Sequence, residues 1–334
     1  MEETRRILRR AIYAFLRGYQ SFTSIAVLLV SPVSAAVLFS QAMAPSSSRM
    51  MGTIQARLDA LFAAAGLPAT SDLFSFLNLK FSQTIVSFVL TLPFVLTFLV
   101  LAKASVIQLV CGSSRRKEFP PSLPSILRLY LPLLQTHLCS AFVAISANAA
   151  AFSLLFLAFN TADALGLTSD RLILCLSIAG AIVYSVLLAN SLVACNLAII
   201  VSGVENCGGF LPILKACALL RSRAATALSL ALPTSLFMAA AEALFHIRVI
   251  KPYRAANRLT PSLIGEGTLI IYIYSLLLVL DIIVSCMFFK SCKLASESDC
   301  ELGCSYSSGF ASKADKKDAA AACVFVRSKL LEQQ

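Results

Sequence analysis

Long apolar runs alternate with short polar connections along the chain. Six of the runs are each long enough to cross the roughly 30 Å hydrocarbon core of a bilayer, which takes about 20 helical residues. The pattern therefore predicts an all-α integral membrane protein: a bundle of six transmembrane helices over residues 21–292, with amphipathic helices at its surface. The predicted spans are 21–43, 84–110, 136–159, 172–202, 225–246 and 268–290.

The N-terminal stretch MEETRRILRRAIYAFLRGYQ, residues 1–20, predicts a basic amphipathic helix. Arg5, Arg6, Arg9 and Arg10 fall on one helical stripe, and apolar residues recur on another. Such a helix lies on the cytosolic leaflet, with its arginines near anionic headgroups and its apolar stripe at the boundary with the acyl chains. The predicted apolar stripe consists of Ile7, Leu8, Ala11, Ile12, Phe15, Leu16 and Tyr19.

Three connections between spans predict further amphipathic helices. Apolar residues at helical spacing in the connection 44–83 predict a short interfacial helix on the outer side. The connections FPPSLPSILRLYLPLLQTHL (119–138) and GGFLPILKACALLRSRAATAL (208–228) each place a proline near the start of an apolar, cationic stretch. We therefore expect two elbow helices on the cytosolic membrane surface. In the second elbow, the candidate contacts for lipid headgroups are Lys215, Arg221 and Arg223.

Residues 293–334 are mostly small and polar, unlike the apolar runs before them. Such a segment has too little apolar surface to offset the entropy lost on ordering. The sequence therefore predicts a disordered cytosolic tail.

Composition supports the membrane assignment and narrows the partners. Hydrophobic residues make up 58% of the chain and charged residues only 13%, against about 25% charged residues in a soluble domain. The net charge of +11 predicts binding to membrane lipids, in particular to anionic headgroups on the cytosolic leaflet. Nucleic acid is not an expected partner, because basic and aromatic residues are not interleaved as on a single-strand-binding surface.

The distribution of cations predicts the topology. With a cytosolic N-terminus, eight of the 28 lysines and arginines fall on the outer side and the other twenty on the cytosolic side. The positive-inside rule therefore favours cytosolic termini, in the endoplasmic reticulum, another endomembrane or the plasma membrane. Four of the outer cations lie in the single loop 247–267, which is the exception to the rule. The eight outer cations are Arg49, Arg57, Lys80, Arg171, Arg248, Lys251, Arg254 and Arg258.

Asp281 is the sharpest chemical signal, because it lies inside the apolar run LIIYIYSLLLVLDIIVSCMFF. A carboxylate at that depth costs about 2.5 kcal/mol or more. It is either a group that handles protons or cations, or an acid kept neutral or paired with another helix for packing. Glu242 precedes His246 by one helical turn, so the two are a candidate acid–base pair. The alternative is that Glu242 reaches the interface and pairs with His246 or Arg248.

Other polar residues in the spans have more than one interpretation. Asn148 and Asn190 are candidate interhelical hydrogen-bond partners or substrate ligands. Cys292, between Lys290 and Lys293, has the setting of a palmitoylation site, with a free juxtamembrane thiol as the alternative.

Motifs of catalysis and metal binding are missing from the sequence. It has no Gly-rich phosphate loop, G-x-S-x-G elbow or H-E-x-x-H pattern. With two histidines and no C-x-x-C pattern, a structural metal site is not expected. We therefore expect neither an enzyme nor a bound cofactor.

Three segments together resemble a family of plant six-span membrane proteins without an established activity. They are TLPFVLTFLVLAKASVIQLV, VSGVENCGGFLPILKACALLRSR and DIIVSCMFFKSCKL, in this order and at the membrane edges. The resemblance covers roughly residues 1–294 and implies a plant endomembrane or plasma-membrane protein, and it transfers no functional residues.

Two functional hypotheses follow. The first is a non-enzymatic membrane protein that acts as a scaffold, organises lipid or assists trafficking. The second is a carrier for a small solute, ion or proton that uses Asp281 within the membrane.

Overall fold

The computed structural model describes residues 2–43, 48–64, 72–112, 123–164, 170–256 and 260–310. Nearly all of these residues are helical, and no strand occurs among them. The helices are α1 (Glu2–Arg17), α2 (Tyr19–Ile25), α3 (Ser31–Met43), α4 (Ser48–Ala64), α5 (Asp72–Phe94), α6 (Val100–Cys111), α7 (Leu123–Ala164), α8 (Asp170–Glu205), α9 (Leu211–Phe245), α10 (Lys251–Ala256) and α11 (Pro261–Phe310). Wider π-helical turns occupy Ala26–Val30, Val95–Leu99 and His246–Ile250.

Six helical segments in the described residues are long and apolar enough to cross a membrane. Each overlaps one predicted span, so the prediction of six apolar helices is confirmed by length and composition. The segments are Tyr19–Ser40, Ser82–Cys111, Ile126–Leu155, Leu174–Glu205, Arg223–Ala255 and Pro261–Ala295.

In each of the first two apolar segments, a proline lies close to the π-helical turn. The π-helical turn Ala26–Val30 ends two residues before Pro32, and the turn Val95–Leu99 begins two residues after Pro93. A proline has no N–H to donate. The carbonyl four residues before it in the helix therefore needs another donor or a different hydrogen-bond pattern. On the C-terminal side of Pro93, the Thr97 hydroxyl donates to the Pro93 carbonyl at 2.7 Å.

The chain divides into two compact units. Unit 1 comprises Met1–Ala14, Ile107–Ala231 and Ile283–Gln334, and unit 2 comprises Phe15–Val106 and Leu232–Ile282. In unit 2, the apolar residues of α3, α9 and α11 form a core around Phe245, whose ring meets that of Phe39 edge to face at 5.5 Å. Hydroxyl pairs also join helices of unit 2, with Ser275 donating to Ser34 at 2.9 Å.

The α7–α8 hairpin is the main packed pair of unit 1. A chain of hydroxyl groups crosses its buried interior: Thr136 donates to Ser202 at 2.9 Å, and Ser202 donates to the Cys207 carbonyl at 2.7 Å. Small residues allow close approach elsewhere, since a Cβ at Gly203 would lie 2.9 Å from Ile107 Cδ1. Polar pairs and small residues are the usual contacts between apolar helices.

A tight elbow joins α8 to α9. Asn206 and Gly209 have φ angles of 55° and 88°, in the left-handed region that ends helices. Lys215 Nζ lies 2.5 Å from Glu205 Oε2, so an ion pair bridges the turn. A non-helical residue at Arg223 (φ −136°, ψ 25°) then separates this elbow helix from the apolar segment that follows. The second predicted elbow is therefore confirmed as a helix with its own break.

The described part of the first predicted elbow is helical and runs into its span, as expected, and α11 extends into the predicted tail. α7 is helical from Leu123 through Pro132 to Ala164, so no break separates an elbow from the span. α11 continues past the predicted start of the tail at 293 to Phe310, and the disorder expected of the tail stays a prediction. This stretch contains no proline, and adding residues to an existing helix avoids the cost of nucleation. Residues 311–334 lie outside the described residues.

We expect Gly208→Ala to destabilise the elbow. A Cβ at Gly208 would lie 3.2 Å from Pro132 Cα and 2.5 Å from Gln135 Oε1, and only the Gln135 side chain can move aside easily. Overpacking of this sort costs about 1–3 kcal/mol. Thermal unfolding of the detergent-purified protein, followed by circular dichroism, should show a lower midpoint. Gly265→Ala is the matched control, because nothing lies within 4 Å of a Cβ there, and equal midpoints for the two variants would contradict the packing argument.

Candidate functional site

Helix α1 is tied to α9 by two polar contacts within unit 1. Glu3 Oε1 lies 2.5 Å from Arg223 Nη1, and the Thr4 and Ser229 hydroxyls are 3.0 Å apart. The ion pair is partly exposed, so its contribution to stability is small, typically about 0–1 kcal/mol. Its main effect is to fix the register of α1, since Arg223 is also the residue at which α9 kinks.

Two apolar side chains on the same face of α1 are buried. Ile7 and Ala11 are 3% and 0% exposed, and with Glu3 and Thr4 they follow the three- and four-residue spacing of one helix face. Burying a side chain such as Ile7 is worth about 1.5–3 kcal/mol. Part of the predicted apolar stripe is therefore covered by protein.

The outward face of α1 combines cations with apolar side chains. All four predicted headgroup-binding arginines are exposed, and three large apolar residues are exposed among them. An interfacial helix has this composition, because the cations reach headgroups while the apolar side chains enter the acyl boundary. The exposed residues are Arg5, Arg6, Arg9, Arg10, Ile12, Tyr13 and Leu16.

The cations of the elbow helix are arranged differently from those of α1. Lys215 is paired with Glu205, and Arg223 is paired with Glu3. Arg221 is exposed, and contact of these three cations with lipid headgroups stays a prediction. The elbow helix also has exposed apolar side chains at its start, namely Phe210, Leu211 and Leu214.

Cys292 lies next to the contact between α1 and α9. It is 4% exposed and within electrostatic range of Arg223 and Glu3. A protein acyltransferase would need this thiol at the surface. Palmitoylation of Cys292 stays a prediction, and the structure adds the condition that the surrounding helices must first move away.

The structure brings Asp281 together with polar residues of two other segments in unit 2. The Thr234 hydroxyl donates to Asp281 Oδ1 at 2.8 Å, and Lys103 lies within electrostatic range of the carboxylate. A hydrogen-bond donor and a nearby cation reduce the cost of burying a carboxyl group in an apolar segment. Lys103 was not predicted as a partner of Asp281 and was counted only among the cytosolic cations. The sequence does contain a signal for this pairing, because Lys103 and Asp281 are a cation and a carboxylate that each lie inside an apolar run.

Glu242 contacts α11. The Tyr274 hydroxyl donates to Glu242 Oε1 at 2.9 Å, which gives the carboxyl group an interhelical partner. His246 is exposed at the start of the last π-helical turn. The structure thus assigns Glu242 a packing contact and leaves the acid–base pair a prediction.

The two predicted asparagines lie in the α7–α8 hairpin. The Tyr184 hydroxyl donates to Asn148 Oδ1 across the pair of helices, which is the interhelical role expected of asparagine in an apolar span. Asn190 is half-buried in α8. The polar candidates are divided between the two units: Asn148 and Asn190 belong to unit 1, and Asp281 and Glu242 belong to unit 2.

No group of three or more His, Cys, Asp or Glu side chains in the described ranges is arranged to hold a metal ion. The arrangements that remain are an exposed basic and apolar helix face and a buried polar cluster around Asp281. The first has the composition of an interfacial helix face, and the second gives a carboxyl group in an apolar segment a hydroxyl donor and a nearby cation.

Comparison with known proteins gives one match. The profile of a protein family described as "Domain of unknown function (DUF8558)" matches residues 4–301. No curated protein and no solved structure matches the chain. The match confirms the expectation of a family without an established activity, and the plant origin implied by the resemblance stays a prediction.

We expect Ile7→Ala to release α1 from its docked position. The substitution removes buried methyl and methylene groups and leaves a cavity, which costs about 2–5 kcal/mol in a packed core. Hydrogen exchange of the α1 amides, measured by mass spectrometry on the full chain in nanodiscs, should become at least about tenfold faster, since 1.4 kcal/mol corresponds to a factor of ten. Ile12→Ala is the control, because Ile12 is 43% exposed. The same acceleration in both variants would contradict docking through the Ile7 face.

Proposed function

Since the chain belongs to the DUF8558 family, whose description names no activity, we propose a function from its geometry. The protein is a non-enzymatic, six-span membrane protein that binds anionic lipid headgroups through the outward face of α1. Through this contact it organises lipid or acts as a scaffold or trafficking component in an endomembrane or the plasma membrane. Both termini are cytosolic in this proposal, and the six apolar helices support the membrane location.

One observation carries the proposal: α1 is docked with its arginines facing outward. The contacts of Glu3, Thr4, Ile7 and Ala11 occupy the opposite face. Each Lys or Arg near an anionic leaflet contributes about 1 kcal/mol, so the four arginines together supply a substantial attraction. The number of arginines is known from the sequence alone. The structure adds that they lie on the face of α1 opposite its protein contacts.

Docking also lowers the cost of binding. A free basic peptide loses conformational freedom when it adsorbs to a membrane as a helix, whereas a helix already held by protein contacts has lost most of that freedom. The tie between Glu3 and Arg223 places α1 beside the elbow helix. The exposed apolar residues Phe210, Leu211 and Leu214 of that helix suit the same headgroup layer.

The absence of tryptophan from the chain permits a direct test of lipid preference. Tyr13→Trp introduces a single tryptophan on the outward face of α1. In nanodiscs of phosphatidylcholine and phosphatidylserine, we expect stronger quenching when the brominated acyl chains are on phosphatidylserine than when they are on phosphatidylcholine. Adding Arg5→Gln, Arg6→Gln, Arg9→Gln and Arg10→Gln should bring the quenching ratio to one, because the headgroup attraction is lost.

The matched control removes four cations elsewhere. Arg57→Gln, Arg171→Gln, Arg248→Gln and Lys251→Gln change four exposed residues and the net charge by the same amount, and they should leave the ratio unchanged. The proposal fails if the original ratio is already one, or if the control lowers it as much as the α1 variant does.

The polar cluster around Asp281 favours a second candidate function, a carrier for a proton or cation. Thr234 and Lys103 give the carboxylate a hydrogen bond and a counter-charge within apolar segments. Ionisable groups in such positions often belong to transport pathways. The same contacts would equally stabilise the packing of three segments in unit 2, so a flux measurement is needed to separate the two roles.

Asp281→Asn separates the carrier from the scaffold. Asparagine keeps the size of the side chain and an oxygen that can accept from Thr234, but it removes the negative charge. In proteoliposomes with an imposed pH gradient, a carrier that uses Asp281 should show flux that the variant abolishes. We expect no flux from either protein, as the lipid-binding proposal requires. Flux that depends on Asp281 would establish the carrier instead.

A further inference from the structure

The end of α6 is anchored to α11 within unit 1. Lys290 Nζ donates to the Val110 carbonyl at 2.5 Å, which satisfies one of the carbonyls that a helix leaves without an internal partner at its C-terminus. The Gly112 N–H donates to the Gln108 carbonyl at 2.9 Å, closing the last turn. These contacts fix the position of Cys111, the last residue of α6.

A second cysteine faces Cys111 at this point. The Cys286 thiol is close enough to the Cys111 thiol to interact with it, and both are free thiols. Cys286 precedes Lys290 by four residues, so the two lie on one face of α11. Cys286 is fully buried, whereas Cys111 is partly exposed.

This arrangement contains the parts of a thiol redox site. Reactive cysteines are partly exposed and lie in electropositive surroundings, and Lys290 supplies a positive charge within electrostatic range of Cys111. Redox-sensing cysteines often have a second, resolving cysteine beside them. Here that residue is Cys286, which is too buried for an external thiol or oxidant to reach first.

We propose that Cys111 and Cys286 form a reversible redox pair, oxidised to a disulfide by hydrogen peroxide and reduced by a small cellular thiol such as glutathione. The proposal does not depend on lipid binding by α1. It assigns a modification site to the anchored end of α6.

The chemistry proceeds in two balanced steps. The Cys111 sulfur attacks one oxygen of hydrogen peroxide, the O–O bond breaks, and the products are the Cys111 sulfenic acid and water. The Cys286 sulfur then attacks the Cys111 sulfur, the S–O bond breaks, and a second water molecule leaves. Two thiols are oxidised and one peroxide is reduced. Two glutathione molecules reverse the reaction by thiol–disulfide exchange and leave as oxidised glutathione.

The disulfide would replace a non-covalent anchor with a covalent one. In the reduced protein, the hydrogen bond from Lys290 to Val110 holds α6 against α11. The oxidised pair would keep the two helices together even when that hydrogen bond breaks. Because cytosolic thiols are normally kept reduced, the link would form during exposure to an oxidant.

The test uses the full chain in nanodiscs. After treatment with hydrogen peroxide, the protein is denatured without reductant, alkylated with N-ethylmaleimide and weighed intact. Of the eleven cysteines, we expect two fewer to be alkylated than in untreated protein. Peptide mapping should find Cys111 linked to Cys286, and glutathione should restore both thiols.

Two variants make the result specific. Cys111→Ser should abolish the loss of the two thiols, and the partly exposed site should tolerate the change. The double variant Cys175→Ser with Cys217→Ser removes two exposed cysteines and should still lose two thiols on oxidation. Peptide mapping of the unsubstituted protein decides the matter independently of variant folding. The proposal is overturned if Cys286 stays alkylatable, if the disulfide joins other cysteines, or if Cys111 reaches sulfinic acid with Cys286 still reduced.

Discussion

A polar group inside an apolar helix must find its hydrogen-bond partner within the protein, and the rest of this structure depends on that constraint. Hydroxyl groups meet it in two ways. Some bond to a carbonyl of the preceding turn, as Ser105 does to Leu101 at 2.9 Å. Others cross to a neighbouring helix, as Ser40 does to Ser87 at 2.6 Å. Apolar side chains supply much of the buried area, but these specific pairs select which faces of nearly uniform helices meet.

The same constraint separates what the sequence predicted from what it could not predict. Apolar run length is a local property, so the six long helices and the helical character of α1 could be read from the chain. In contrast, the hydrogen-bond and charge partners of a polar side chain depend on how the helices pack in three dimensions. Asp281 stood out in the sequence because of its cost, yet nothing local linked it to Thr234 or Lys103. The pairing of Glu242 with Tyr274 was hidden in the same way, because His246 was the nearer residue along the chain.

The two elbows show how similar sequence patterns give different structures. Both have an early proline followed by an apolar, cationic stretch. The second is preceded by residues with positive φ and closed by an ion pair between Glu205 and Lys215, and it is interrupted at Arg223. The described part of the first runs without a break into its span. Proline placement predicted where a helix can start, whereas the breaks depend on residues whose conformations are fixed by contacts.

The docking of α1 also has a consequence for biosynthesis. Glu3 and Arg223 are separated by 220 positions in the chain. At a synthesis rate of about 5–20 residues per second, the partner of Glu3 appears roughly 10–40 s after α1 itself. During that interval α1 lacks the contacts that Arg223 and Ser229 provide in the finished protein. Under the lipid-binding proposal, the N-terminal helix would begin as a peripheral segment on the leaflet, and its Glu3 and Thr4 face would dock on protein once Arg223 and Ser229 have been made.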